Sequence, residues 1–171
     1  MIAEFIKKQK TSDGNIIKDE HREAFNVLFN HIYKEDEKAI SLSMRLVEIA
    51  HVWDDLVDGD KVSTANINKA FIDSIFTLQA HEYWFPMGLN HQVLNVFLRW
   101  QDATTIENDP NKTEQDLEKT FMLRAGIYDI FSVIAYYLHG NEWALEVGPT
   151  IRRFYAETFK TLKEEFPCQT Q

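Results

Sequence analysis

The segment DEKAISLSMRLVEIAHVWDDLVDG, Asp36 to Gly59, decides the fold. Within it Leu42, Leu46, Ile49, Trp53 and Leu56 recur at alternating four- and three-residue steps, the spacing that gathers apolar side chains on one face of an α-helix. Gly59 supplies the stop, so a helix is expected from Asp36 to about Val57. A second stripe, Ile40, Met44, Val47 and His51, runs on into Asp54, Asp55 and Asp58. The helix is thus apolar on both sides through its middle and acidic only in its last two turns, the pattern of a buried rod whose acidic end reaches a cavity mouth.

Working outward, the same periodicity predicts a short helix over Glu20 to Tyr33, carried by Phe25, Leu28, Phe29 and Ile32. Ser63 to Asn66 can cap a third helix running to about Gln79, and Tyr83 to Gly88 breaks the pattern. A fourth helix is expected from Asn90 to about Thr105, ended by the polar run Glu107 to Asn111. Thr113 and Asp116 then look like the capped start of the longest helix, ending near Gly140. Gly148-Pro149 is expected to interrupt once more before a last helix from Ile151 to Phe166. No strand-like alternation and no repeat is present. The expectation is an all-α, single-domain bundle of about six helices over residues 1–171, with residues 1–18 as a loosely ordered N-terminal arm.

Composition narrows the function classes. A formal charge of −9 argues against a surface made for nucleic-acid phosphates or anionic lipid, so no nucleic acid is expected and cationic, metal-bridged or apolar partners fit better. The single cysteine, Cys168, excludes a disulfide framework or a thiolate metal cage. MIAEFIKKQK lacks the apolar run of a signal peptide and no stretch approaches about 18 consecutive apolar residues, so a soluble, cytoplasmic protein without a membrane span is expected.

Asp54, Asp55 and Asp58 sit at helical offsets that place all three within about 100° of arc. Oxygen ligands so grouped suit Mg²⁺, which takes one or two carboxylates and completes its shell with water or phosphate oxygens. Three carboxylates at a helix C-terminus also oppose the helix dipole and one another, and a bound cation relieves both. The alternative is an acidic helix end that is simply solvated.

The string Asp54-Asp55-Leu56-Val57-Asp58-Gly59 resembles the first aspartate-rich motif, DDxxD, of the class I isoprenoid synthases. That resemblance implies a shortened version of their all-helical fold, with Mg²⁺ on Asp54, Asp55 and Asp58 gripping a prenyl diphosphate at the mouth of an apolar cavity. It implies prenyl transfer or cyclisation as the activity of an intact enzyme. A second metal site in that family follows a pattern to which Glu157, Thr161 and Glu165 correspond in spacing, without the acidic pair that usually opens it. Ile40, Met44, Val47, His51 and Asp129 are then the candidates to line the substrate pocket.

Asp129 faces packed neighbours on its helix and needs a partner, either a tyrosine, serine or histidine or a ligand. Arg152, Arg153, Lys160 and Lys163 could meet a diphosphate or serve the dipole of the last helix. The aromatic residues Trp53, Tyr83, Trp84, Phe85, Trp100, Phe131, Tyr136 and Tyr137 could shelter a cation or fill a core. Two rival readings stay open. One is an all-α nucleoside triphosphate pyrophosphohydrolase, whose ExxE signature fails here because His51 stands where Glu48 needs an acidic partner. The other is a non-catalytic helical interaction or assembly protein with a solvated acidic patch, and a homo-oligomer is compatible with either.

Overall fold

A computed structural model describes residues 19–155 and 157–168; the N-terminal arm expected at 1–18 lies outside them. The described chain is all-helical, as its periodicity requires: α1 Asp19–Ile32, α2 Glu37–Asp58, α3 Thr64–Ile72, α4 Leu89–Glu107, α5 Glu114–Arg124, α6 Ile127–Arg153 and α7 Phe159–Glu165.

The turn between α1 and α2 places Lys34 and Glu35 at positive φ, and Asp36 then accepts from the Ala39 N–H at 2.9 Å to start α2. Gly59, at φ 79°, ends α2 by donating to the Asp55 carbonyl. Ser63 caps α3, whose last turn widens into a π-helical turn over Asp73–Thr77. Thr113 and Asp116 form a reciprocal capping box at the start of α5.

Two expectations about the second half are corrected and one is met. The predicted long helix from Thr113 to Gly140 is two helices, because the chain turns at Ala125 and Gly126, where Leu123 and side chains of α4 crowd the glycine. The break expected near Gly140 is present: its φ of 81° and ψ of 179° are not helical, so α6 is two helical segments joined across a kink. Gly148-Pro149 does not interrupt: Val147 and Ile151, one turn apart and both buried, hold α6 together across the hydrogen bond that Pro149 cannot make.

The core gathers Leu28, Phe29 and Ile32 of α1, Tyr33 in the turn after it, Leu42, Leu46 and Val47 of α2, and Ile130, Phe131, Ile134 and Ile151 of α6. Phe29 meets Phe131 edge-on at 4.9 Å, and the buried Tyr33 hydroxyl pairs with Ser43 at 2.8 Å. By length and composition the stretch Glu114–Arg153 is apolar enough to cross a membrane, with mean hydropathy 1.3 over its most apolar window. Ile130, Phe131, Ile134 and Ala135 of this stretch pack in the core with α1 and α2, while Met122, Tyr136, Tyr137 and Leu145 are exposed, and 33% of the apolar window is buried. α5 lies against α4, α7 lies against α5, and this second layer meets the end of α2 across a cleft.

Candidate functional site

A cavity of about 300 Å³ opens where the last two turns of α2 face α4, α6 and the segment around α7. Four residues of α2 line it at three- and four-residue steps: Val47, His51, Asp54 and Asp58. Across it stand Glu157, just before α7, and Glu165, at its end. The same wall carries the aromatic rings of Phe25, Trp53, Phe97, Trp100, Tyr128, Tyr155 and Phe166. Trp53 and Phe97 meet edge to face at 5.0 Å, joining α2 to α4.

Arg124, in the last turn of α5, is the only Lys or Arg on the cavity wall among the described residues. Its guanidinium carbon lies 5.0 Å from the Trp100 ring centre and 5.9 Å from that of Phe166. Nε donates to both oxygens of the fully buried Glu107 carboxylate at 3.0 Å, and Nη2 donates to one of them. Nη1 is left 3.6 Å from Asp54. Glu107 therefore already neutralises the one cation that faces the acidic groups.

The electrostatics reflect this excess of negative charge. Burial, with the Asp58 charge adding and Arg124 opposing, pushes the Asp54 carboxyl up to about 7. Burial and neighbouring acids also raise Asp55 and Asp58. Glu165 rises through burial and the charges of Glu157 and Asp58. Burial, with His21 nearby, lowers His51, so this imidazole adds no compensating charge near neutral pH.

Of the residues singled out from the sequence, Asp54, Asp58, His51, Val47, Glu157 and Glu165 share this one cavity. Asp55 is not among the residues that line it. Three pocket candidates lie off the wall of this cavity. Met44 is buried in the core and Ile40 packs against it, because two turns below His51 the stripe has passed from the cavity into the α1 contact. Asp129 lies off the cavity wall, paired with Arg99 at 2.6 Å and with Arg152; its partners are arginines from α4 and the end of α6, not a tyrosine, serine or histidine. Thr161 turns to the cap residue Thr158 at 2.8 Å and does not face Glu165 across the cavity. Lys163 is held by Glu114, and Lys160 lies near Glu164.

Sequence reading missed Arg124, Glu107, Tyr128 and Tyr155. Glu107 and Arg124 meet only because α5 folds back on α4, so no local spacing announces them. Among the described residues, no three His, Cys, Asp or Glu side chains converge as a metal-binding group. Comparison with protein-family models, characterised proteins and solved structures gives no match to this chain.

Proposed function

We propose that the protein binds a small organic cation, its apolar body among the aromatic rings of the cavity and its charge among Asp54, Asp58, Glu157 and Glu165. One observation carries this reading: four carboxylates and seven phenylalanine, tyrosine and tryptophan side chains line one cavity whose only arginine is clamped by Glu107. Carboxylates crowded in partly buried surroundings favour any ligand that brings positive charge, and aromatic faces attract the same charge through their quadrupoles. A cavity of about 300 Å³ stands at the small end of ligand pockets, which suits a compact molecule. Among the described residues no three acidic or imidazole side chains converge as a metal-binding group, and a diffuse organic charge, unlike a compact metal ion, does not need converging oxygens.

A second reading is Mg²⁺-dependent binding of a prenyl or related diphosphate. It is favoured by one observation: the two acidic segments that the isoprenoid-synthase resemblance pairs, around Asp54 and around Glu157, do face the same cavity. Asp54 and Asp58 on one side, and Glu157 and Glu165 on the other, would hold the metal. Water and phosphate oxygens would supply its remaining ligands, and the metal would offset the repulsion between these acids and the diphosphate.

Thermal unfolding separates the two. In metal-free buffer, 2-phenylethylammonium is expected to raise Tm while 2-phenylethanol, its neutral counterpart, does not. Stabilisation only by Mg²⁺ with a prenyl diphosphate analogue would transfer the site to the second reading, and stabilisation by neither would overturn both.

A further inference from the structure

Tyr128, near the start of α6, is 8% exposed and lines the cavity, packed against Phe131 at 5.5 Å and Tyr155 at 5.6 Å. Among the described residues its hydroxyl makes no hydrogen bond, and burial alone acts on its ionisation. No side-chain oxygen or nitrogen that is wholly sealed off lacks a partner there. The Tyr128 hydroxyl is therefore not wholly sealed off, and Tyr128 is one of the residues that line the cavity. A phenol in such a place can both donate and accept, and leaving it unmatched is costly.

The neighbouring ring is arranged differently. Tyr155 donates its hydroxyl to Glu157, which ties one oxygen of that carboxylate and leaves the other free to accept. The same wall thus offers two acceptors to a ligand, a neutral phenol oxygen and a carboxylate oxygen, with Asp54 close enough for its charge to act together with that of Glu157.

We infer that the cation held here is a protonated amine bearing N–H groups, which donates to the Tyr128 hydroxyl and to Glu157, and not a quaternary ammonium. This rests on the cation reading above and adds a requirement to it. Attraction to carboxylates and aromatic faces is shared by all organic cations, whereas only an N–H cation satisfies the phenol oxygen. A quaternary ammonium of the same body would fill the cavity and leave Tyr128 unmatched and further shielded.

Calorimetric titration of 2-phenylethylammonium and of its N,N,N-trimethyl counterpart, without metal, tests the inference on the full chain and on Tyr128→Phe. The native protein is expected to bind the primary ammonium at least about tenfold more tightly. Tyr128→Phe is expected to weaken the primary ammonium alone, closing the gap to about twofold, and to melt no lower than the native chain because it removes an unpartnered hydroxyl. Equal binding of both cations by the native protein overturns the inference and leaves the cation reading standing. Binding of neither overturns that reading as well. A Tyr128→Phe variant that melts lower shows that the hydroxyl serves the fold, and that result also overturns the inference.

Discussion

Arg124, on the cavity wall, is held by Glu107: Nε of the guanidinium lies 3.0 Å from each carboxylate oxygen, and Glu107 is wholly shielded from solvent. Removing one partner strands the other charge. Arg124→Met is therefore expected to lose about 3–5 kcal/mol of stability, measured by urea unfolding. Adding Glu107→Leu to that variant removes the stranded carboxylate and is expected to recover a large part of the loss. A single variant as stable as the native chain would show that the pair does not form.

Asp54 gives stability a pH dependence of known sign. Its carboxyl is held at about 7 in the folded protein, chiefly by burial, against about 3.8 in an unperturbed chain. Between these values the folded protein keeps a proton that the unfolded chain has released, so the contribution of Asp54 to stability falls as pH rises from about 4 to about 7. Asp55, Asp58 and Glu165 are shifted in the same direction, while the lowered His51 works the opposite way, so the comparison must be with a variant. Relative to the native chain, Asp54→Asn is expected to gain stability across that pH window and to hold a constant offset above it. An offset that does not change with pH would contradict the account. Binding of an organic cation is expected to tighten as pH rises through about 7, since the ionised carboxylate is the form that attracts it.

Gly140 carries the kink of α6 at φ 81° and ψ 179°, a conformation close to exclusive to glycine. A Cβ added there meets nothing within 4 Å, so Gly140→Ala isolates the backbone effect. It is expected to cost about 1–3 kcal/mol in denaturant unfolding. An unchanged midpoint would mean that α6 straightens without penalty.

Much of this was legible in the sequence because it is local. The cap at Asp36, the stop at Gly59 and the apolar stripe between them fix α2, and the same stripe points Val47, His51, Asp54 and Asp58 to one side. The stripe could not show where the cavity ends, since whether Met44 meets a void or α1 depends on a neighbouring helix. Gly148-Pro149 misled for a related reason: a local breaker was outweighed by burial of Val147 and Ile151. Arg124 with Glu107, and Tyr128 beside Tyr155 and Glu157, are meetings of distant segments for which spacing in the chain gives no signal.

The central claim is that the cavity between α2, α4 and α7 receives an organic cation. Its most direct test is an NMR titration of the isotopically labelled chain with 2-phenylethylammonium in metal-free buffer near pH 8, above the Asp54 transition. The account predicts saturable shifts of the Trp53 indole, whose ring lines the cavity, and of the Asp54 and Glu157 carboxyl carbons, with the Trp143 indole unmoved at its bond to the Ile32 carbonyl. No saturable shift, or shifts confined to exposed apolar residues such as Phe71 and Phe76, would contradict it.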